Sequence, residues 1–251
     1  TVELEAFVHG AMCMAYSGRC LLSSFLTSRS ANRGACTHPC RWRYHLVEKN
    51  RPEEFFPIEE DERGTYILSS KDLAMITHIP ELAELGLTTW KIEGRMKSIH
   101  YVATVTKVYR EALDQYWEKG AEFTLSPIWK EELAKVSDRG FTTGFYFNEA
   151  RGKKGVSYQS HSDKRKKYDF VGLVLDGEDR ERIFVEQRNF FKPGDQIEVL
   201  EPMGEPFSYQ LTELYDEEGQ ALDAARHPQQ RVFLTSPQPL AEYALLRRVR
   251  R

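Results

Sequence analysis

Alternating apolar and polar positions open the chain and predict a β-strand. Residues 2–8 run Val-Glu-Leu-Glu-Ala-Phe-Val, with apolar side chains at every second position, the period that places them on one face of a strand. Residues 87–93 repeat this period, whereas residues 98–119 carry apolar side chains every three or four positions, as in an amphipathic helix. The succession of strand, turn and helix is typical of the last βα unit of an α/β barrel.

The segment between these elements predicts a loop followed by two short helices. Residues 41–70 are polar and include an acidic run at residues 59–62, which is typical of a solvated turn. Serines at positions 69 and 70 supply caps for a helix over residues 70–78. A second helix, over residues 79–86, ends at a glycine.

Beyond residue 125 the pattern changes to short β-runs separated by turns. Residues 126–167 contain proline, several glycines and a basic stretch, and they predict a linker. Six apolar-rich runs follow, and their number and frequent turns predict a small antiparallel β-barrel. The runs are residues 170–175, 182–186, 196–200, 209–214, 231–235 and 244–249.

Composition limits the classes of protein to which the chain can belong. It has 251 residues, of which 41% are hydrophobic, enough to bury a core without covalent staples. No apolar run reaches the length of a membrane helix, and the strand-like pattern of the first residues differs from the pattern expected of a signal peptide. We therefore expect a protein with no membrane partner, located in the cytoplasm.

All four cysteines lie in one short window with the spacing C-x6-C-x15-C-x3-C: Cys13, Cys20, Cys36 and Cys40. Such clustering indicates a shared role. Two disulfides are typical of small secreted domains and fit this chain poorly. Structural zinc sites usually use two closely spaced cysteine pairs, and only the second pair here is close. An iron–sulfur cluster accepts ligands from separate loops. Spacing alone leaves the cluster and zinc open, with four unligated thiols as the remaining alternative.

The residues around the first two cysteines form a recognisable string. They match E-x-F-x-x-G-A-[aliphatic]-C-x4-[S/G]-x-C-x-[aliphatic]-S without a gap, at Glu5, Phe7, Gly10, Ala11, Met12, Cys13, Gly18, Cys20, Leu22 and Ser23. This string resembles the signature of the collagenase-like peptidase family U32. A second block, residues 91–97 followed by Tyr101-Val-Ala, is also similar to the family. Together with the β-rich tail, the resemblance covers nearly the whole chain.

The resemblance implies a domain organisation. Family members carry a long segment before the motif, which forms most of a TIM-like barrel. Residues 1–125 are therefore expected to be the C-terminal part of a TIM-like α/β barrel that carries the four cysteines. Residues 126–167 are expected to be a linker and basic segment, and residues 168–251 the small antiparallel β-barrel domain. In TIM barrels the loops after the strands carry the chemistry, and the cysteines directly follow a strand.

The resemblance also implies an activity. Similar members hydroxylate RNA bases without oxygen, among them the wobble uridine of tRNA and a cytidine of rRNA, with prephenate as the implied hydroxyl donor. Relatives in quinone biosynthesis hold a [4Fe–4S] cluster on four cysteines. The first hypothesis is therefore an iron–sulfur tRNA uridine hydroxylase, with zinc as the alternative metal. Its expected partners are tRNA or rRNA, a prephenate-like anionic co-substrate and, as a further candidate, a paralogous subunit.

Two other hypotheses stay open. Some family members are described as collagenases or general peptidases, so a U32 peptidase is the second. The sequence has neither a G-x-S-x-G serine motif nor H-E-x-x-H, and thus shows no familiar peptidase mechanism. The third is an RNA-docking or partner-docking module without activity of its own.

Basic residues supply candidates for binding RNA or an anion. The formal net charge is −3, but cationic residues are concentrated in two places. Near the cysteines, the candidate substrate-binding residues are Arg19, Ser23, Arg29, Asn32, Arg33 and Arg41. A second group, Lys164, Arg165, Lys166 and Lys167, is expected to hold RNA phosphates. A solvated surface is the alternative interpretation of that second group.

The second family block places Lys91, Glu93, Arg95 and Lys97 at alternate positions, which on a strand share one face. In a barrel that face is the interior, where charges are costly unless paired. Lys91 can then pair with Glu93, leaving Arg95 and Lys97 to bind a carboxylate or phosphate, or all four can form a buried ion-pair network. His9 is a candidate for proton transfer or substrate binding, or else a hydrogen-bonded core histidine. The candidate catalytic residues are Glu5, His9, Lys91, Glu93 and Arg95.

Overall fold

A computed structural model describes residues 2–13, 19–42, 45–48, 51–57, 72–95, 97–136, 141–144, 146–147 and 168–249 of the chain. The chain divides into two compact units. The first unit comprises Thr1–Arg95 and Ser137–Asp163, and the second comprises Met96–Val136 and Lys164–Arg251. Each unit contains β-sheet and helices of its own.

A four-stranded mixed sheet forms the centre of the first unit, in the order β5-β1-β4-β6. Strand β1 lies parallel to β5 and antiparallel to β4, and β4 lies parallel to β6. These described strands do not form a TIM-like barrel. The sheet strands are β1 (Glu5–Ala11), β4 (Asp72–Ala74), β5 (Thr89–Ile92) and β6 (Phe141–Thr142). Helices α1 (Leu22–Thr27) and α2 (Ile79–Glu84) and a hairpin of β2 (His45–Glu48) with β3 (Arg51–Pro57) complete the unit.

Several elements of the first unit agree with the sequence pattern, and two do not. Helix α2 and strands β1 and β5 confirm the corresponding predictions. The helix predicted over residues 70–78 is wrong, because this segment forms strand β4 and then a 3-10 turn at Ile76–His78. The buried side chains of Leu73 and Ala74 are stabilised by strand pairing with β1, which outweighs the serine capping signal. The loop predicted over residues 41–70 contains the β2–β3 hairpin.

Two helices begin the second unit. Helix α3 (Ile99–Lys119) confirms the predicted amphipathic helix and is capped by Ser98, whose Oγ accepts a hydrogen bond from the Tyr101 backbone N–H at 3.2 Å. Helix α4 (Pro127–Val136) occupies the first part of the segment predicted as a linker. Trp129 and Leu133 of α4 are buried, so this segment contributes to the core. None of the helices in the described part of the chain is both long and apolar enough to cross a membrane.

A seven-stranded antiparallel sheet, in the order β10-β9-β13-β7-β8-β12-β11, completes the second unit and curls into a half-barrel. It confirms the predicted β-rich tail, although the run predicted over residues 209–214 is divided between two strands. There, Leu211 is buried and its N–H bonds to the Asp195 carbonyl outside the ladder. The strands are β7 (Tyr168–Asp176), β8 (Ile183–Gln187), β9 (Gln196–Leu200), β10 (Phe207–Gln210), β11 (Leu214–Tyr215), β12 (Arg231–Leu234) and β13 (Leu245–Val249).

A buried group of charges joins α4 to the half-barrel. The Arg247 guanidinium, which is fully buried, lies 2.7 Å from both Glu132 and Glu198. The Lys135 amine lies 2.6 Å from Glu132 and 2.8 Å from Glu198. Burial opposes ionisation of Glu132, but the hydrogen bonds and charges of Arg247 and Lys135 hold the pKa of its carboxyl below the ordinary value. The paired charges explain why α4 belongs to the second unit.

Candidate functional site

All four cysteines line one cavity of about 590 Å³ in the first unit, named here the cysteine cavity. None of the four forms a disulfide; Cys13 is exposed and the other three are partly buried. Sulfurs separated by up to 27 positions in the sequence thus share one space. Polar side chains of other elements line the same cavity: His9, Asn32, His38, Glu93, Arg95 and Tyr146.

The end of strand β1 forms the floor of this cavity. His9, on β1, is almost fully buried, and its carbonyl accepts the Glu93 backbone N–H at 2.9 Å. The next residue, Gly10, has φ 121°, and a Cβ there would lie only 2.4 Å from the Glu93 carbonyl oxygen. Only glycine permits this close approach. Gly10 therefore places the loop that carries Glu93 directly against the end of β1.

Hydroxyl groups of helix α1 hold Thr37, the residue that follows Cys36. Ser23 Oγ lies 3.1 Å from the Thr37 hydroxyl and accepts the Thr37 backbone N–H at 3.1 Å. Thr27 donates to the Ser23 carbonyl at 2.7 Å and also contacts Thr37. Ser23 is fully buried and, unlike His9, is not among the residues that line the cavity, so the structure does not support the prediction that it binds a substrate. Its observed role is to join helix α1 to the cysteine loop.

His38 is a cavity residue that was not predicted from the sequence. It stands in the left-handed region, at φ 54° and ψ 45°, which is uncommon for residues other than glycine and is often found at functional sites. Its backbone N–H donates to Cys36 Sγ at 3.3 Å. A hydrogen bond of this kind stabilises negative charge on a thiolate sulfur. The sequence did contain a sign of this role, because His38 is a residue type that often binds metals and it stands between the closely spaced Cys36 and Cys40.

Arg95 and Glu93 bring opposite charges to the cavity. The Glu93 carboxylate accepts the backbone N–H of Arg95 at 3.2 Å. The Arg95 guanidinium passes so close to Gly34 that a Cβ there would lie 2.6 Å from Nη1. Gly34 has φ 81° and follows the 3-10 turn that carries Asn32. A cation packed on bare backbone at a cavity wall is suited to binding a carboxylate or a phosphate.

Tyr146 is a second cavity residue that was missed, because it lies in the segment predicted as a linker. Its hydroxyl donates to the Phe7 carbonyl of β1 at 2.7 Å. Burial raises the pKa of this phenol above its ordinary value, so Tyr146 stays protonated and keeps its donor at neutral pH. The hydrogen bond brings an aromatic ring to the cavity wall.

The structure corrects the expected arrangement of Lys91. Its amine pairs with Glu5 at 2.6 Å, not with Glu93, and both side chains are about half exposed. The ammonium also lies 5.0 Å from the centroid of the Phe7 ring. Strand β5 ends at Ile92, so the residues that follow do not alternate as they would on a strand. The predicted inward row of four charges is therefore wrong.

Other predicted residues occupy varied positions. Lys97 lies over the Tyr101 ring, 4.8 Å from its centroid. Arg19, Arg29 and Arg33 are exposed. Asn32, another substrate-binding candidate near the cysteines, lines the cavity. Arg41 ends a 3-10 turn at Pro39–Arg41. Residues 164–167, which carry the second basic group, lie outside the described residues.

The donor set of the cysteine cavity fits an iron–sulfur cluster in its chemistry. Four cysteines around one cavity are the kind of ligands that such clusters require, and the His38 N–H supplies a hydrogen bond to one of the sulfurs. Across the described residues, however, no group of three or more His, Cys, Asp or Glu side chains is arranged to hold a metal ion. The convergence of the four sulfurs as ligands therefore stays a prediction.

Comparison with known proteins shows that two family models match successive parts of the chain. The model of peptidase family U32 matches residues 1–155, and the model of the peptidase family U32 C-terminal domain matches residues 166–247. The tRNA hydroxylation protein P1 of Bacillus subtilis (strain 168) is 45% identical over 232 residues, which cover 91% of this chain and 54% of that protein. The tRNA hydroxylation protein P of Escherichia coli (strain K12) is 34% identical, over 98% of this chain and 62% of that protein. The chain thus spans little more than half the length of these relatives.

The chain is also similar to a relative with a different name and to a solved structure. A collagenase of Porphyromonas gingivalis (strain ATCC BAA-308 / W83) is 38% identical over 172 residues, which cover 68% of this chain and 40% of that protein. The crystal structure of the C-terminal domain of a Geobacillus thermoleovorans U32 peptidase is 40% identical. It covers 33% of this chain and 93% of that chain, with a TM-score of 0.31.

Proposed function

The chain belongs to peptidase family U32, which confirms the resemblance, and from that premise we propose that it acts in the oxygen-independent hydroxylation of tRNA. The cysteine cavity carries this proposal, because four cysteines line it together with a buried histidine, a carboxylate and a guanidinium. The similarity to two proteins named for tRNA hydroxylation supports it. The proposed substrate position is the wobble uridine.

The proposed cofactor is a [4Fe–4S] cluster held by Cys13, Cys20, Cys36 and Cys40. When bound, it would supply electron transfer beside the substrate. Zinc is the alternative metal, and only the Cys36/Cys40 pair has the close spacing that structural zinc sites favour. Thiols that must stay free for a metal are kept reduced in the cytosol, so we propose the cytoplasm as the compartment.

The remaining cavity residues would bind and orient the reactants. Arg95, fixed by its contacts with Gly34 and Glu93, would bind the carboxylate of a prephenate-like hydroxyl donor. His9, buried at the end of β1, would accept or donate a proton near the base. Tyr146 would close the wall and exclude water. Glu5 and Lys91 pair with each other, so a catalytic role for these two rests on the sequence alone.

Further parts of the proposal concern partners. The cations at residues 164–167 would hold tRNA phosphates, and the exposed Arg19, Arg29 and Arg33 would bind RNA or the anionic donor. The chain spans 54% and 62% of its two tRNA-hydroxylation relatives, so the substrates and partners of the whole protein are part of this proposal. A paralogous subunit is a further candidate partner.

Peptidase activity is the second candidate function, favoured by the relative named a collagenase. Ser23 is fully buried and bonded to Thr37, which argues against a serine nucleophile there. A thiol is the available alternative, since Cys13 is exposed at the cavity. Replacing Cys13 would then stop peptide cleavage and leave tRNA unchanged.

Mass spectrometry of tRNA nucleosides tests the two functions. In a strain that lacks the gene, the whole protein with Cys13→Ala should leave hydroxylated wobble uridine at the background level of that strain, because one proposed cluster ligand is absent. Leu21→Ala is the matched control, since Leu21 is 70% exposed beside Cys20, and it should restore the modification fully. Full restoration by Cys13→Ala, or an unchanged nucleoside profile in the deletion strain, would contradict the proposal.

A further inference from the structure

A second cavity lies in the half-barrel, where strand β7 begins and strand β13 ends. Its volume is about 760 Å³, and we name it the rim cavity. Strands β7 and β13 are antiparallel, and Tyr168 pairs with Val249, so the chain enters and leaves the sheet at this end. Polar side chains line both walls, among them Asp169, Asn189, Lys192, Asp195, Gln196 and Arg248.

The carboxylates of the rim cavity are engaged by neighbouring donors. Arg248 bonds to Asp169 at 2.8 Å and lies 3.7 Å from Asp195. Asp195 also accepts the Lys192 backbone N–H at 2.9 Å. These contacts fix the guanidinium of Arg248, whose carbon lies 5.7 Å from the centroid of the Phe190 ring. Phe190 itself is not among the residues that line the cavity, but it directly follows the lining residue Asn189, and its ring is 38% exposed beside the Arg248 cation.

Other donors of the cavity are available to a ligand. Lys192 is exposed and, within the part of the chain that the structure describes, its amine makes no ion pair. The side-chain Oδ1 of Asn189 accepts the Phe190 backbone N–H at 2.9 Å, which leaves the side-chain NH2 group of Asn189 as a donor. Gln196 adds a second amide. Amides beside an aromatic face are the groups that recognise unstacked RNA bases.

The sequence next to the cavity adds positive charge. All four of residues 164–167 and both of residues 250–251 are Lys or Arg. These segments lie outside the described residues and are not part of the site, but they are continuous in sequence with Tyr168 and Val249. Phosphate groups are attracted to such charge, whereas a neutral or basic peptide is not.

We propose that the rim cavity binds one unstacked nucleotide of the substrate tRNA. Its base stacks on the exposed ring of Phe190 beside the cavity and bonds to the amides of the lining residues Asn189 and Gln196, and its phosphate pairs with Lys192. This proposal rests on the proposed function, from which it takes its RNA. It assigns the half-barrel a defined RNA contact, separate from the cysteine cavity.

Binding measurements with the whole protein test this assignment, using an unmodified tRNA transcript and a short single-stranded oligouridylate. Phe190→Ala should weaken oligouridylate binding about tenfold, because one base loses its stacking partner. Lys192→Gln should lower the slope of log affinity against log salt by about 0.7, the value for one phosphate contact on a single strand. The matched controls Trp117→Ala and Lys130→Gln, which change an exposed aromatic and an exposed cation of the same unit, should bind as the wild type does.

The outcomes separate this inference from the proposed function. If the wild type binds tRNA and both cavity variants bind equally well, the rim cavity is not an RNA site. If Phe190→Ala has no effect while Lys192→Gln weakens oligouridylate and inorganic polyphosphate equally, the cavity is only an anion surface and the proposal is overturned. Dependence on both residues for an acidic peptide, but not for RNA, overturns it as well. A wild type that binds no tRNA at all contradicts the proposed function itself.

Discussion

At the scale of the residue, Gly10 combines a positive φ with close backbone neighbours. Its φ is 121°, and a Cβ there would lie 2.4 Å from the carbonyl oxygen of Glu93 and 2.8 Å from its Cβ. These are backbone and near-backbone atoms, which cannot move aside as the end of a long side chain can. Gly86 has φ 65° with open space around it. A side chain at Gly86 would therefore cause backbone strain alone, whereas a side chain at Gly10 would cause backbone strain and a steric clash.

We therefore expect Gly10→Ala to destabilise the protein much more than Gly86→Ala does. Gly86→Ala should cost about 1 kcal/mol of unfolding free energy, the strain of a left-handed alanine. Gly10→Ala should cost about 2 kcal/mol more, because the Glu93 loop must also move. Urea unfolding of the two variants measures the difference. Equal destabilisation would show that β1 and the Glu93 loop are not held as closely as the structure indicates.

At the scale of the element, local sequence predicted what local interactions determine. Helix α3 was predictable because its apolar period and the Ser98 cap are both written in neighbouring residues. Strand β4 was not, because its conformation depends on pairing with β1, more than 60 positions away in the sequence. The same limit applies to the site: the cysteine window is a local pattern, whereas Tyr146 reaches the cavity through a bond to Phe7.

Helix α4 carries a prediction that depends on its buried charges. Glu132 is held ionised by Arg247 and Lys135 despite its burial, so Glu132→Gln should cost about 3 kcal/mol at neutral pH by leaving Arg247 without one charge partner. Because the pKa of Glu132 is lower in the folded than in the unfolded state, its contribution is complete above the unfolded pKa and disappears as pH falls through the folded pKa.

Denaturant unfolding at several pH values checks this contribution. The stability difference between wild type and Glu132→Gln should be constant near neutral pH and shrink in strongly acidic solution. Glu131→Gln is the matched control, since Glu131 is the exposed neighbour on the same helix, and it should change stability by less than about 0.5 kcal/mol. A difference that does not depend on pH would assign the destabilisation to packing instead of charge.

At the scale of the whole molecule, the distribution of charge matters more than its sum. A formal net charge of −3 gives no general attraction to RNA, so binding must depend on local concentrations of cations. The first unit offers Arg95 in a cavity suited to one small anion. The second unit offers the rim cavity, and the sequence beside it contains the basic residues 164–167. A long polyanion needs several such sites of attraction.

The basic residues 164–167 therefore carry the last prediction. Replacing all four with glutamine should weaken tRNA binding and lower the slope of log affinity against log salt by up to about 0.9 for each phosphate that is no longer neutralised. A control that replaces the exposed cations Lys119, Lys130, Arg180 and Arg226 removes the same charge elsewhere in the second unit. It should change the slope much less, because only the general charge of the protein is then altered. Titrations of tRNA at several salt concentrations measure both slopes. Equal slopes for the two variants would mean that residues 164–167 form a solvated surface, and RNA docking by this part of the chain would then depend on the rim cavity alone.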